Sequence, residues 1–99
     1  MRISLTEEAA NDLVELRAYL GPLSPEGLHN VVARIEAKIA GLTDQPNSGR
    51  PTPREGIREA IEEKYGFVIP YTIIGKTLYV LRVYRSTRRP LDYDGLNTP

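Results

Sequence analysis

The apolar residues of this 99-residue chain change their spacing once, between residues 42 and 57, and that change decides the fold class. Before it the spacing is helical. Ala9, Leu13, Leu16 and Leu20 recur every three or four residues, flanked by Ala10 and Val14, and form one apolar stripe with charges opposite. Leu28, Val31, Val32, Ile35, Ile39 and Leu42 form a second stripe of the same kind. Thr6 is placed to cap the first helix, with Glu7 and Glu8 in its first turn, and Gly21 and Pro22 are expected to end it. Ser24 and Pro25 begin the second helix. Helices joined by about four residues pack as an antiparallel hairpin.

From Ile57 onward the spacing is that of strands. Ile57, Glu59 and Ile61 alternate with Arg58, Ala60 and Glu62, and the β-branched and aromatic runs "FVIPYTII" and "TLYVLRVY" follow. Gly75-Lys76 fits a two-residue hairpin turn, and Gly66 a bend between the first two strands. Pro70 removes a ladder donor and predicts a bulge or an unpaired position. Helices first and strands after give an α+β fold, an N-terminal antiparallel helix hairpin packed on a small antiparallel sheet. As one domain, the chain divides into a short strand "RISL" plus hairpin (1–42), a loop (43–56), the sheet (57–89) and a flexible tail (90–99) able to order on a partner. Both faces of "TLYVLRVYRSTR" are partly apolar, so a second polypeptide is the natural cover for the face the helices leave open.

Composition narrows function by exclusion. A chain of this length builds one core without a deep walled cleft, so a site is expected on an open face. It contains no cysteine and one histidine, His29, which leaves no thiolate or multi-imidazole metal site; no metal or cofactor is expected. No apolar run approaches bilayer length and the N-terminus carries acids, so a cytoplasmic protein without membrane contact is expected. The zero net charge hides an asymmetry: residues 1–49 hold four bases and seven acids, residues 50–99 nine bases and six acids. Arg82, Arg85, Arg88 and Arg89 crowd into "RVYRSTRR" with no acid among them, either a solvated strand end or a binding face.

The order of elements resembles the RelE/ParE toxins of type II toxin–antitoxin systems over nearly the whole chain. The resemblance rests on "LTEEAANDLVELRAYL" and on "RIEAKIAGLTDQPNSGRP" with its P-x-x-G-R loop. It continues through "REGIREAIEEKYGFVIPYTIIGKTLYVLRVYRSTRRP", similar to the family's G-x-R-E, I-x-Y and closing L-x-V-x-H-x-x-R strands. It implies a toxin silenced by a cognate antitoxin that wraps an extended, partly helical segment around it. The ParE-like branch implies inhibition of DNA gyrase. The RelE-like branch implies cleavage of messenger RNA in the ribosome by a basic cluster, sometimes with a tyrosine. A catalytically silent antitoxin-binding module is a third reading.

RNA cleavage through the 2′-hydroxyl needs a proton acceptor, cations for the phosphorane and an acid for the leaving oxygen. Arg58 matches the G-x-R-E arginine and Arg88 the closing arginine, but Arg85 stands where the family commonly has histidine. Tyr93 joins Arg58, Arg85 and Arg88 as the nuclease candidates, and acts only if the tail folds back over the sheet; otherwise it anchors the tail or lies on the surface. Gyrase binding needs no proton transfer, and Arg82, Tyr84, Arg85, Arg88 and Arg89 are its candidates. The alternative reading of two of these five is that Tyr84 fills core and Arg82 pairs internally with Glu59 or Glu62 on a neighbouring strand. The ParE-like reading is the one the residues favour.

Overall fold

The computed structural model describes residues 1–85, 87 and 91–99. Two helices, α1 (Glu7–Leu23) and α2 (Pro25–Gly41), pack on one face of a sheet whose strands are β1 (Arg2–Leu5), β2 (Arg50–Pro51), β3 (Arg58–Glu62), β4 (Phe67–Ile74), β5 (Thr77–Val80) and β6 (Tyr84–Arg85). The helix hairpin is tighter than the sequence suggests. Pro22 lies inside α1 rather than after it, and Ser24 alone separates the helices. The reason is local: the residue before this proline is Gly21, whose missing Cβ removes part of the clash that usually bars helix there. Ser24 then serves both helices. Its N–H donates to the Leu20 carbonyl (2.8 Å) while its hydroxyl accepts from the Gly27 N–H (3.0 Å), so one extended residue ends α1 and caps α2.

Strand order is β1-β5-β4-β3-β2, with β6 pairing with β4 beyond the end of β5. The hairpin at Gly75-Lys76 and the bend at Gly66 are present, with both glycines at positive φ (61° and 78°) as such turns require. The sheet is mixed rather than wholly antiparallel. β1 runs parallel to β5, pairing Arg2 to Thr77 through Leu5 to Val80, which the long connection through both helices permits. The loop at 43–56 also holds a strand, β2, which adds to the outer edge of β3 at Arg58 and Glu59.

Pro70 produces the bulge its position predicts. β4 and β5 stay in register to the pair Tyr71–Val80, whereas the next pair is Val68–Tyr84, so the segment 81–83 carries one residue more than the strand opposite. The Leu81 N–H still donates to the Pro70 carbonyl (2.8 Å), and proline has no N–H to return.

Alternation along the strands builds two clusters. Ala60, Ile69, Tyr71, Leu78 and Val80 face α2 residues such as Ile35 and Ile39 and form the main core. On the opposite face Ile57 and Leu81 pack with Leu96, and Tyr79, Leu91 and Tyr93 lie around them. The cover over that face is therefore the chain's own C-terminal segment, where a loose tail and a second polypeptide were expected. Two features of the sequence explain it: Leu91, Tyr93 and Leu96 supply an apolar side, and Arg54 donates from one guanidinium nitrogen to the carbonyls of Tyr93 (3.1 Å) and Leu96 (2.6 Å). Asn97 reaches on to the Glu8 carboxylate at the start of α1 (2.9 Å).

Candidate functional site

The arginines picked out by sequence do not form one cluster. Arg82 turns inward to α1, where Nε and Nη2 donate to the two carboxylate oxygens of Asp12 (2.7 and 3.0 Å). Asp12 also accepts from the Val83 N–H (2.9 Å), so a single carboxylate holds both the side chain and the backbone of the bulge. The hydrogen bond to Asp12 raises the Arg82 pKa. Internal pairing of Arg82 was one reading of the sequence, but its partner is Asp12 and not Glu59 or Glu62. Alternation explains the difference: Glu59 points to the tail face, and Glu62, three pairs further along β3, is buried and caps the turn by accepting from the Lys64 and Tyr65 N–H groups.

Arg85 is exposed at the end of β6, with its guanidinium carbon 5.7 Å from the centre of the Phe67 ring across the β4–β6 pair. Tyr84, its neighbour, is half-buried and opposite Val68, on the tail face. Arg88 and Arg89 lie outside the described residues. Between α1 and β6 runs a groove of about 160 Å³, lined by Leu16, Tyr19, Phe67 and Val83 with Arg82 and Arg85 among its walls.

Arg58 lies elsewhere. It is opposite Tyr71 on β4, whereas Arg85 is opposite Phe67, and β3 and β6 flank β4 on different sides. Four residues of strand alone separate the two arginines by about 14 Å along β4. Arg58 donates to the Gly49 carbonyl (2.8 Å) and so helps to fix the loop before β2. Tyr71 anchors the same loop, its hydroxyl donating to the Pro46 carbonyl (2.7 Å) and accepting from the Gly49 N–H (3.0 Å). It is a core residue, as its burial on a strand suggests.

The tail does fold back over the sheet, and Tyr93 comes to rest on Glu59. Its hydroxyl donates to one carboxylate oxygen while Arg50 donates to the other. Burial first, then the bond to Glu59 and the hydroxyl of Tyr84, push the Tyr93 pKa well above the usual phenol range. A phenol so placed holds its proton, which is the reverse of what a general base requires. Arg58, Arg85 and Tyr93 are thus brought to three separate environments. His29 is exposed on α2 and belongs to none of them.

Several residues that shape this face carry no local signature in the sequence. Asp12 reads as an ordinary solvated acid of α1, and Arg54 as one charge among loop prolines. Their partners lie 70 and about 40 residues away in the chain, and only the bulge and the returning tail bring them together.

Comparison with known proteins agrees with this architecture. A family model described as the ParE toxin of type II toxin–antitoxin system, parDE, matches residues 3–90. The Sinorhizobium fredii protein named "Putative toxin Y4kP" (strain NBRC 101917 / NGR234) is 36% identical over 72 residues, 73% of this chain and 75% of that protein. A solved structure described as the chromosomal ParDE TA system from P. aeruginosa superposes with a TM-score of 0.75 at 28% identity, covering 86% of this chain and 95% of the other.

Proposed function

The chain belongs to the ParE toxin family of type II toxin–antitoxin systems, a membership that implies an antitoxin partner, and from that premise we propose that it inhibits DNA gyrase. The contact is made by the end of the sheet that carries Tyr84 and Arg85, and Arg88 and Arg89, which follow in the sequence and lie outside the described residues, are further candidates for it. Arg82 supports this face from beneath through Asp12 and contributes positive charge. The observation that carries the reading is the fate of Tyr93. Tyr93, the tyrosine the sequence offers to a nuclease mechanism, is held protonated against Glu59, on the face of the sheet away from Arg58, so it does not give these cations the proton acceptor that RNA cleavage needs. An aromatic and arginine pair at a strand end serves protein recognition without one.

The test is plasmid supercoiling by purified gyrase with the antitoxin-free chain titrated in at low and high salt. Inhibition that weakens as salt rises is expected, because an arginine-rich contact is screened, and Arg85→Glu should weaken it further at low salt. A folded sample that leaves supercoiling untouched overturns the proposal. Cleavage of ribosome-bound RNA that is lost in Arg58→Ala would then put the chain with the nucleases.

A further inference from the structure

β6 is only two residues long, and it is joined to β5 through the bulge at 81–83, where the ladder is interrupted. Two backbone pairs with β4 are too few to hold a strand end in one orientation, since pairing this short is stable only with side-chain support. That support comes from both sides of the sheet. On the helix side Asp12 holds Arg82 and the Val83 N–H. On the other side the phenol of Tyr93 sits between Glu59 and Tyr84, and the strap that carries it is clamped by Arg54 at Tyr93 and Leu96 and seated by Leu96 on Leu81.

We infer that residues 91–97 are a latch that orients Tyr84 and Arg85 for the target, with Tyr93 and Arg54 acting as positioning residues that do not themselves touch it. The inference rests on the gyrase reading for the identity of the target and on the geometry alone for the latch. Glu59 is the fixed point, because it is nearly buried on the sheet and its second oxygen is occupied by Arg50, so removing the phenol leaves the carboxylate paired. Tyr93→Phe therefore opens the latch without leaving a bare buried charge. Arg54→Ala opens it from the other end.

The experiment measures two quantities on the full-length chain and on these two variants. Amide hydrogen exchange at Tyr84, Arg85 and Leu96 reads the latch directly, with Ile69 and Leu78 in the core as internal controls. Each variant should speed exchange at β6 and the strap by about tenfold, the effect of losing one or two partly buried hydrogen bonds, and leave the core amides unchanged. Inhibition of supercoiling reads positioning, and the concentration for half-inhibition should rise by about the same factor. Unchanged exchange at Tyr84 and Arg85 in both variants overturns the latch. Faster exchange with undiminished inhibition overturns the positioning role. If the wild-type chain leaves gyrase untouched, the gyrase reading falls alone, and growth arrest on expression without antitoxin replaces supercoiling as the measure of positioning. Core exchange that accelerates with β6 would mark a general loss of stability and would also overturn the assignment.

Discussion

The Thr6 hydroxyl donates to the Leu81 carbonyl (3.0 Å), the acceptor that Pro70 leaves without a partner across the sheet. In an antiparallel ladder residues 70 and 81 would exchange two hydrogen bonds, and only the one from Leu81 N–H to the Pro70 carbonyl is made. The same hydroxyl accepts from the Ala9 N–H (3.2 Å) and so begins α1, while the Thr6 N–H donates to the Val80 carbonyl (3.0 Å). One side chain thus repairs the defect that proline makes in β4 and ties the first helix to the strand where the bulge starts.

Replacing Thr6 separates these roles. Thr6→Ala loses the cap, worth about 1 kcal/mol, and leaves the Leu81 carbonyl unsatisfied, worth about 1–3 kcal/mol more. Thr6→Ser keeps both bonds. Urea unfolding should show a loss of roughly 2–4 kcal/mol for alanine and under about 1 kcal/mol for serine. Equal losses in the two variants would show that the methyl group, and not the hydroxyl, carries the stabilisation.

Gly49 is fixed by contact rather than by backbone angle. A Cβ there would lie 2.6 Å from the ring and hydroxyl of buried Tyr71, which packs beneath the loop and bonds to it. Gly49→Ala should destabilise the chain by about 1–3 kcal/mol through overpacking, and Tyr71→Phe by about 1–3 kcal/mol through the N–H and carbonyl left unpaired. The double variant tests coupling. Losses that simply add in thermal or urea melts would mean that the two residues do not share a contact.

Asp12 should matter more than its place on an amphipathic helix suggests. Asp12→Ala removes three charge-assisted bonds, leaving Arg82 without a partner and the Val83 N–H without an acceptor in the bulge. With the Asp12 side chain only 12% exposed, a cost of about 2–3 kcal/mol is expected, whereas Glu15→Ala on the same helix, an exposed acid, should stay within about 0.5 kcal/mol. Equal effects at the two positions would reduce the Asp12–Arg82 pair to an ordinary surface ion pair.

The features legible in sequence are those written in local spacing. Thr6 and Ser24 as caps, the stripe through Ile35 and Ile39, the turn at Gly75 and the bulge opposite Pro70 all follow from patterns within a few residues, and the order helix, helix, strands follows from them. What was not legible depends on residues far apart. The parallel pairing of β1 leaves no mark on "RISL", because a strand reads the same whichever way its neighbour runs. The tail misled by composition: two prolines and few apolar residues suggest a loose end, yet Leu96 needs only the hollow over Ile57 and Leu81, and Arg54 needs only two backbone carbonyls. Arg82 illustrates the same limit at the candidate site. Its position in a run of arginines marks it as exposed charge, and only the packing of α1 over this end of the sheet brings it to Asp12, 70 residues away in the chain.

The latch formed by Tyr93 also predicts how stability responds to alkali. In the folded chain the Tyr93 pKa is raised, by burial and then by its bond to Glu59, whereas in the unfolded chain it titrates as an ordinary phenol near pH ~10. Below that pH the phenol is protonated in both states, and its contribution to stability is fully present. Above it the unfolded chain releases the proton while the folded chain still holds it, so the unfolded state gains and stability falls as pH rises toward the folded value. Tyr93→Phe has no proton to lose at this position. Urea midpoints measured from pH 8 to 11 should therefore decline more steeply above about pH 10 for the wild type than for Tyr93→Phe, with the two curves running parallel below it. Parallel curves across the whole range would show that the Tyr93 hydroxyl is not held against Glu59 in solution.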